Sequence, residues 1–140
     1  MLRGLILILG VGILTACTPP NDSVDAELKK KLVGSWRFDY KDEFERAVQG
    51  TVKLGDDGKF FAVETVNGEQ GFSESRLSGP WYVTDGLFKL NTQVADGKAL
   101  GSMQQSFFTC KVTEFTAKHF ECSDQLAKKT YTYTRVSNAS

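Results

Sequence analysis

The chain has 140 residues, and its 17 Lys+Arg balance 17 Asp+Glu, so no net charge draws a polyanion or a polycation to it. That length suits one domain with a modest core, and the charges are interspersed without a basic stripe to hold nucleic acid. One histidine and three cysteines restrict the available chemistry, whereas ten Phe, four Tyr and two Trp are a large aromatic share for a small domain.

The N-terminus carries one positive charge, Arg3, followed by an uncharged apolar stretch over residues 5–14 broken only by glycine. A membrane-spanning helix needs about 20 apolar residues, so this shorter stretch reads as a secretory leader. It ends in Leu14-Thr15-Ala16-Cys17, which resembles the lipobox of bacterial lipoproteins. The resemblance implies that residues 1–16 are a signal peptide and that cleavage falls before Cys17. Cys17 then carries the lipid, palmitate among its acyl chains, that anchors the protein to a membrane. An ordinary signal peptide, or a membrane anchor with a chance cysteine, is the alternative. In the sorting rule of this class, Asp in the second mature position favours the inner membrane. Thr18 stands there, which implies the outer membrane with the protein facing the periplasm. Loss of Arg3 leaves the mature chain one net negative charge. Residues 17–23, with Pro19 and Pro20 among small polar side chains, read as a tether that cannot bury enough to fold. Residues 24–140 are the expected domain.

Asp22 and Ser23 can cap a short helix, in which Val24, Leu28 and Leu32 share one face. Lys29, Lys30 and Lys31 come late, where cations favour the helix's negative end, and Gly34 can stop it. Beyond Gly34 the helical period disappears. Turn signals recur at short intervals: G-D-D-G at 55–58, N-G-E-Q-G at 67–71, S-G-P at 78–80, and D-G at 85–86 and 96–97. Between them lie segments rich in Val, Phe, Tyr and Thr, expected as strands at 35–41, 47–54, 59–66, 72–77, 80–84, 87–92, 103–113, 118–123 and 129–136. With no helical crossover, about eight or nine such strands signal an all-β fold, read here as a single antiparallel up-and-down barrel.

Within the pair at 103–113 and 118–123, a hairpin centred on Thr116 sets Cys110 opposite Cys122 and Val112 opposite Phe120. Opposed residues of a non-hydrogen-bonded pair lie about 4.5 Å apart at Cα, at the short edge of disulfide range, and an exported compartment preserves such bonds. A structural disulfide is expected. The spacing is not C-x-x-C, and His119 alone cannot complete a zinc set.

In Gly34-Ser35-Trp36-Arg37-Phe38-Asp39-Tyr40 the three aromatics alternate with polar residues, and at the far end Tyr131, Tyr133 and Arg135 share a face. If closure makes these strands neighbours, Arg135 can lie across the Trp36 ring. A G-x-W on the first strand with an Arg on the last resembles the lipocalin and calycin barrels. There a short helix leads into the Gly-x-Trp, and the Trp closes one end with the Arg over it. The residues that match are Gly34, Trp36 and Arg135. The T-D-x-x-Y common in that family is missing, since Thr84-Asp85 continues as Gly86-Leu87-Phe88. The domain is nearer in size to small bacterial lipocalin-like domains and to barrel lipoproteins that inhibit C-type lysozyme. Trp81 follows Gly79-Pro80, which marks an edge or a strand start, so it is expected to be the less costly tryptophan to truncate.

Catalytic groupings are scarce. His119 is the only histidine, and Ser123 and Asp124 are too close along one strand to align with it as a triad. Asp56-Asp57-Gly58-Lys59 lacks the spacing of a calcium loop and suits a hairpin turn. Asp42, Glu43 and Glu45 sit in a charge-mixed segment that reads as a solvated rim with Phe44 tucked inward. No enzyme activity, cofactor or metal is expected. The aromatic side chains either fill the barrel or line an apolar pocket formed by Phe38, Tyr40, Tyr131 and Tyr133, open at the end away from Trp36. The expected function is an envelope lipoprotein that binds a small apolar or amphipathic ligand in a lipocalin-like barrel. The alternative is a protein-interaction lipoprotein, an inhibitor of a wall-degrading enzyme or an accessory of an envelope complex, docking through a loop at 66–72 or 93–103.

Overall fold

The computed structural model describes residues 22–137, so the leader and Cys17 lie outside the described residues. Among these, one helix, α1 (Asp22–Leu32), precedes ten strands. They are β1 (Gly34–Lys41), β2 (Ala47–Leu54), β3 (Lys59–Gly68), β4 (Gly71–Thr84), β5 (Leu87–Thr92), β6 (Val94–Ala95), β7 (Lys98–Ala99), β8 (Ser106–Phe115), β9 (His119–Asp124) and β10 (Lys129–Arg135). Pairing runs through β1, β2, β3, β4, β5, β8, β9 and β10 in chain order. β10 then returns antiparallel to β1, with Trp36 opposite Arg135 and Phe38 opposite Tyr133. These eight strands close an up-and-down barrel, and β6 with β7 forms a small hairpin attached to β4.

Alternation builds the wall. β1 buries Trp36 and Phe38 and exposes Arg37 and Asp39. β2 buries Val48, Val52 and Leu54, and β3 buries Phe60 and Ala62. Every second side chain therefore faces an apolar lumen while its neighbours face water. Asp85-Gly86 and Asp96-Gly97 turn the β4–β5 and β6–β7 hairpins with φ of 54° and 73°, and 50° and 77°. Positive φ at both central residues matches the twist of the flanking strands.

The strands expected at 72–77 and 80–84 are one, the 14-residue β4. Ser78-Gly79-Pro80 does not turn the chain. Pro80 is the last residue paired to β3 and Trp81 the first paired to β5, so the missing donor falls where the strand changes partners. The β6–β7 hairpin has no counterpart among the expected strands, because two-residue strands are too short to show a period.

β8 and β9 differ from the expected register. Val112, not Cys110, lies opposite Cys122, and Phe115, not Val112, lies opposite Phe120, with a bulge between Val112 and Glu114. The turn sits one to two residues later than expected, where the Thr116 hydroxyl accepts from the amides of Lys118 and His119 at 3.3 and 3.1 Å. The extra residue in β8 shifts the pairing beyond it. Cys110 and Cys122 are thus diagonal neighbours with Cα atoms 5.4 Å apart, and they are bonded.

α1 starts at Asp22, so Asp22 and Ser23 belong to the helix and not to the tether. Its inward stripe is Asp25, Leu28 and Leu32, whereas Val24 is 66% exposed. The spacing i, i+3, i+7 satisfies the helical period as well as the expected i, i+4, i+8. Contacts with the barrel decide between them.

Candidate functional site

The two ends of the barrel differ. At one end, α1 lies over the lumen and its last carbonyls need partners, as every helix C-terminus does. Trp36, buried, donates its indole N–H to the Leu32 carbonyl at 2.7 Å. Arg135 stacks on the Trp36 ring with its guanidinium carbon 4.1 Å from the centroid. Its nitrogens donate to the carbonyls of Lys31 (3.0 Å), Val33 (3.2 Å) and Ala117 (2.8 Å). The guanidinium thus joins the helix C-terminus, the first strand and the β8–β9 turn, with a positive charge at the negative end of the helix. Gly34, at φ 140°, makes the room, because a Cβ there would stand 2.5 Å from Arg135 Nη1.

A second tie holds the other side of the helix. The Asp25 carboxylate accepts from the amides of Asp85 (2.7 Å) and Gly86 (2.8 Å), fastening α1 to the β4–β5 turn. Lys29 lies over Trp81, 5.2 Å from its centroid, and the Trp81 indole donates to the Gly55 carbonyl at 2.8 Å. Trp81 is as buried as Trp36, which removes the ground for expecting it to be the less costly tryptophan to truncate. Pro80 marks a change of strand partner, and the next side chain points into the closed end. Phe120 continues this packing, edge-on to Trp36 at 4.7 Å and stacked on Tyr133 at 4.5 Å.

Above Tyr133 the lumen is open. A cavity of about 290 Å³ is lined by all four expected aromatics, Phe38, Tyr40, Tyr131 and Tyr133, together with Phe108, Glu64 and aliphatic and hydroxyl side chains. Thr92 and Ser106 stand at the last and first positions of β5 and β8, which sets the mouth at the end away from Trp36. Tyr131 meets Tyr40 at 5.2 Å and Phe108 at 5.3 Å, both edge-on, and Phe38 contacts Tyr133 at 5.9 Å. The barrel is therefore filled at its closed half and hollow at its open half.

Glu64 is the residue that sequence reasoning missed. It lies on β3 between Ala62 and Val66, in phase with the inward positions, and is the one charged side chain lining the cavity. Burial pushes its carboxyl above the usual range. Burial also pushes the Tyr40 hydroxyl up to about 12, with the Glu64 charge adding to the rise. Tyr131 and Tyr133 are raised by burial as well. Each tyrosine therefore stays neutral and able to donate a hydrogen bond at physiological pH. The signal for Glu64 was its position in the alternation Phe60, Ala62, Glu64, Val66.

Other sequence candidates resolve into turns. His119 contacts Thr116 Oγ at 3.1 Å and Glu114 at 3.3 Å within the β8–β9 turn, whereas Asp124 caps the β9–β10 turn at the opposite end. Asp57 accepts from the Lys59 amide at 3.0 Å, closing the β2–β3 turn. Asp42 organises the β1–β2 loop by accepting from the amides of Phe44 and Arg46 and pairing with the Arg46 side chain at 2.7 Å. Phe44 is not tucked inward as expected. It is 68% exposed, with Arg46 over its outer face at 5.1 Å. Among the described residues no cluster of three or more His, Cys, Asp or Glu is arranged to hold a metal ion.

Compared with known proteins, the chain matches no family model and no curated protein.

Proposed function

We propose that the chain is an envelope lipoprotein whose lipocalin-like barrel binds a small apolar or amphipathic ligand in its open half. The observation that carries this reading is the cavity of about 290 Å³ walled by Phe38, Tyr40, Tyr131 and Tyr133. Its volume falls just below the usual span of small-molecule sites, about 300–1,000 Å³, which suits a small ligand, and its lining is the usual mixture of aromatic wall and few polar groups. The helix leading into Gly34-Ser35-Trp36 and the stacked Arg135 support the lipocalin-like reading. The lipobox ending at Cys17 supports lipid anchoring at the outer membrane, on the periplasmic side. α1 begins at Asp22 on the closed end, and the five residues back to Cys17 span at most about 18 Å. A lipid on Cys17 would therefore hold the closed end toward the membrane and leave the mouth facing away.

Titration of residues 17–140 with 1-octanol tests the reading. Saturable binding that is lost in Ala62→Phe, which places a ring in the cavity, is expected. Absence of binding by 1-octanol and by its amine analogue alike in the unaltered chain, or binding that Ala62→Phe leaves intact, refutes it.

One observation favours the second reading, a protein-interaction lipoprotein. Phe44, Met103 and Leu126 are exposed on connections around the mouth and Phe72 beside the β3–β4 turn there; Phe72 and Met103 fall within the segments 66–72 and 93–103. A stoichiometric protein partner released by charge substitutions at Phe72 and Met103, with no octanol binding, would support it.

A further inference from the structure

Glu64 stands out in the cavity. A carboxylate in an apolar lumen loses hydration, and such a group is retained at a cost unless something offsets it. Its register partners on the flanking strands, Gly50 on β2 and Ser75 on β4, bring no cation. Across the lumen it faces Tyr40 on β1, Tyr131 and Tyr133 on β10, Thr92 on β5, and Ser106 and Phe108 on β8. Among the described residues no Lys or Arg lines the cavity. One acidic group is thus set among aromatic side chains.

We propose that this half of the barrel is a cation-accepting aromatic cage, and that its ligand joins a protonated amine or quaternary ammonium to a short apolar body. The head group seats between Glu64 and the rings of Tyr40 and Tyr131, and the body extends toward Phe38 and Tyr133. The inference rests on the lumen being a ligand site and names the class of ligand. Ring faces attract a desolvated cation, and the carboxylate supplies a charge-assisted hydrogen bond or a counter-ion. The same charge in a low-dielectric cavity repels anions of equal size. The tyrosines stay neutral through the physiological range, so Glu64 alone sets the sign of the field among the lining residues. Its carboxyl is raised by burial, so amine binding weakens as pH falls through that raised value.

Three probes with one tail separate the possibilities: n-octylamine, 1-octanol and octanoate, titrated calorimetrically into residues 17–140 near neutral pH. The amine should bind about ten- to a hundredfold more tightly than the alcohol, the margin of a charged hydrogen bond, and octanoate should be weakest. Glu64→Gln should erase the difference between amine and alcohol. Should that variant fail to fold, a pH series on the unaltered chain serves: amine affinity falls with acidification and alcohol affinity does not. Alcohol or octanoate binding as tightly as the amine, or a pH-independent amine, overturns the proposal and leaves the lumen as an apolar site. If none of the three binds, the lumen reading itself fails, and the proposal with it.

Discussion

Replacing Arg135 by Lys keeps a positive charge at the closed end and removes what depends on a planar fork. Arg135 stacks 4.1 Å from the Trp36 centroid and donates to the carbonyls of Lys31, Val33 and Ala117. A lysine ammonium can serve one of these carbonyls and cannot stack flat on the indole. Two lost hydrogen bonds cost about 0.5–1.5 kcal/mol each, at the modest end because water reaches these acceptors, and the stacking about 0.5–1 kcal/mol. The favourable charge at the helix C-terminus, about 0.3–1 kcal/mol, is retained. The expected loss is therefore roughly 1.5–2 kcal/mol. In urea unfolding followed by tryptophan fluorescence, the midpoint should fall by about 1 M for a slope near 2 kcal/mol/M, with the slope unchanged. Arg135→Ala should cost more, because it also removes the charge. An unfolding free energy for Arg135→Lys within about 0.5 kcal/mol of the unaltered protein's would falsify the idea that the fork holds this end together.

Trp81→Ala should cost about 3–5 kcal/mol, the same range as Trp36→Ala, since both rings are fully buried at the closed end; equilibrium unfolding of the pair checks this, and a clearly milder Trp81→Ala counts against it. Reducing the Cys110–Cys122 bond, which closes a short loop at separation 12, should lower stability by about 2–3 kcal/mol without releasing metal; two free thiols in protein purified without reductant would overturn the pairing. Cys17→Ala should accumulate as unprocessed precursor that takes up no labelled palmitate, and normal processing of that variant would end the lipoprotein reading. Glu64→Gln should melt higher than the unaltered chain at neutral pH without ligand. The folded carboxyl is raised above its unfolded value, so ionising it destabilises the native state as pH rises through that window, and the difference should vanish below about pH 4. Equal melting temperatures at neutral pH would show that Glu64 is not desolvated.

The sharp alternation in the first and last strands was legible because each has one wet face. Trp36, Phe38 and Tyr40, and Tyr131, Tyr133 and Arg135, therefore stand out at period two; Phe38, Tyr40, Tyr131 and Tyr133 line the cavity, and Arg135 stacks on Trp36 at the closed end. The same period should have exposed Glu64, but a charge in a strand reads as solvent-facing unless its phase is followed. β4 was broken in two because Ser78-Gly79-Pro80 has turn composition, and only the neighbouring strands show that Pro80 sits at a change of partner. The β8 bulge has no compositional mark, which is why the Cys110 register was misjudged although the bond was anticipated. Whether Val24 or Asp25 joins the helix stripe is decided by the amides of Asp85 and Gly86, sixty residues away in sequence. The outward placement of Phe44 likewise depends on the loop that Asp42 and Arg46 build.

The central claim is that the open half of the barrel holds a small molecule. Mass spectrometry of the organic extract from the protein, purified from the cells that natively make it, tests it most directly. The account predicts one compound near equimolar with the protein, with a short apolar body and a basic nitrogen, and its loss from Ala62→Phe material. An extract with no such compound, alongside a protein partner retained in stoichiometric amount by both forms, would contradict it.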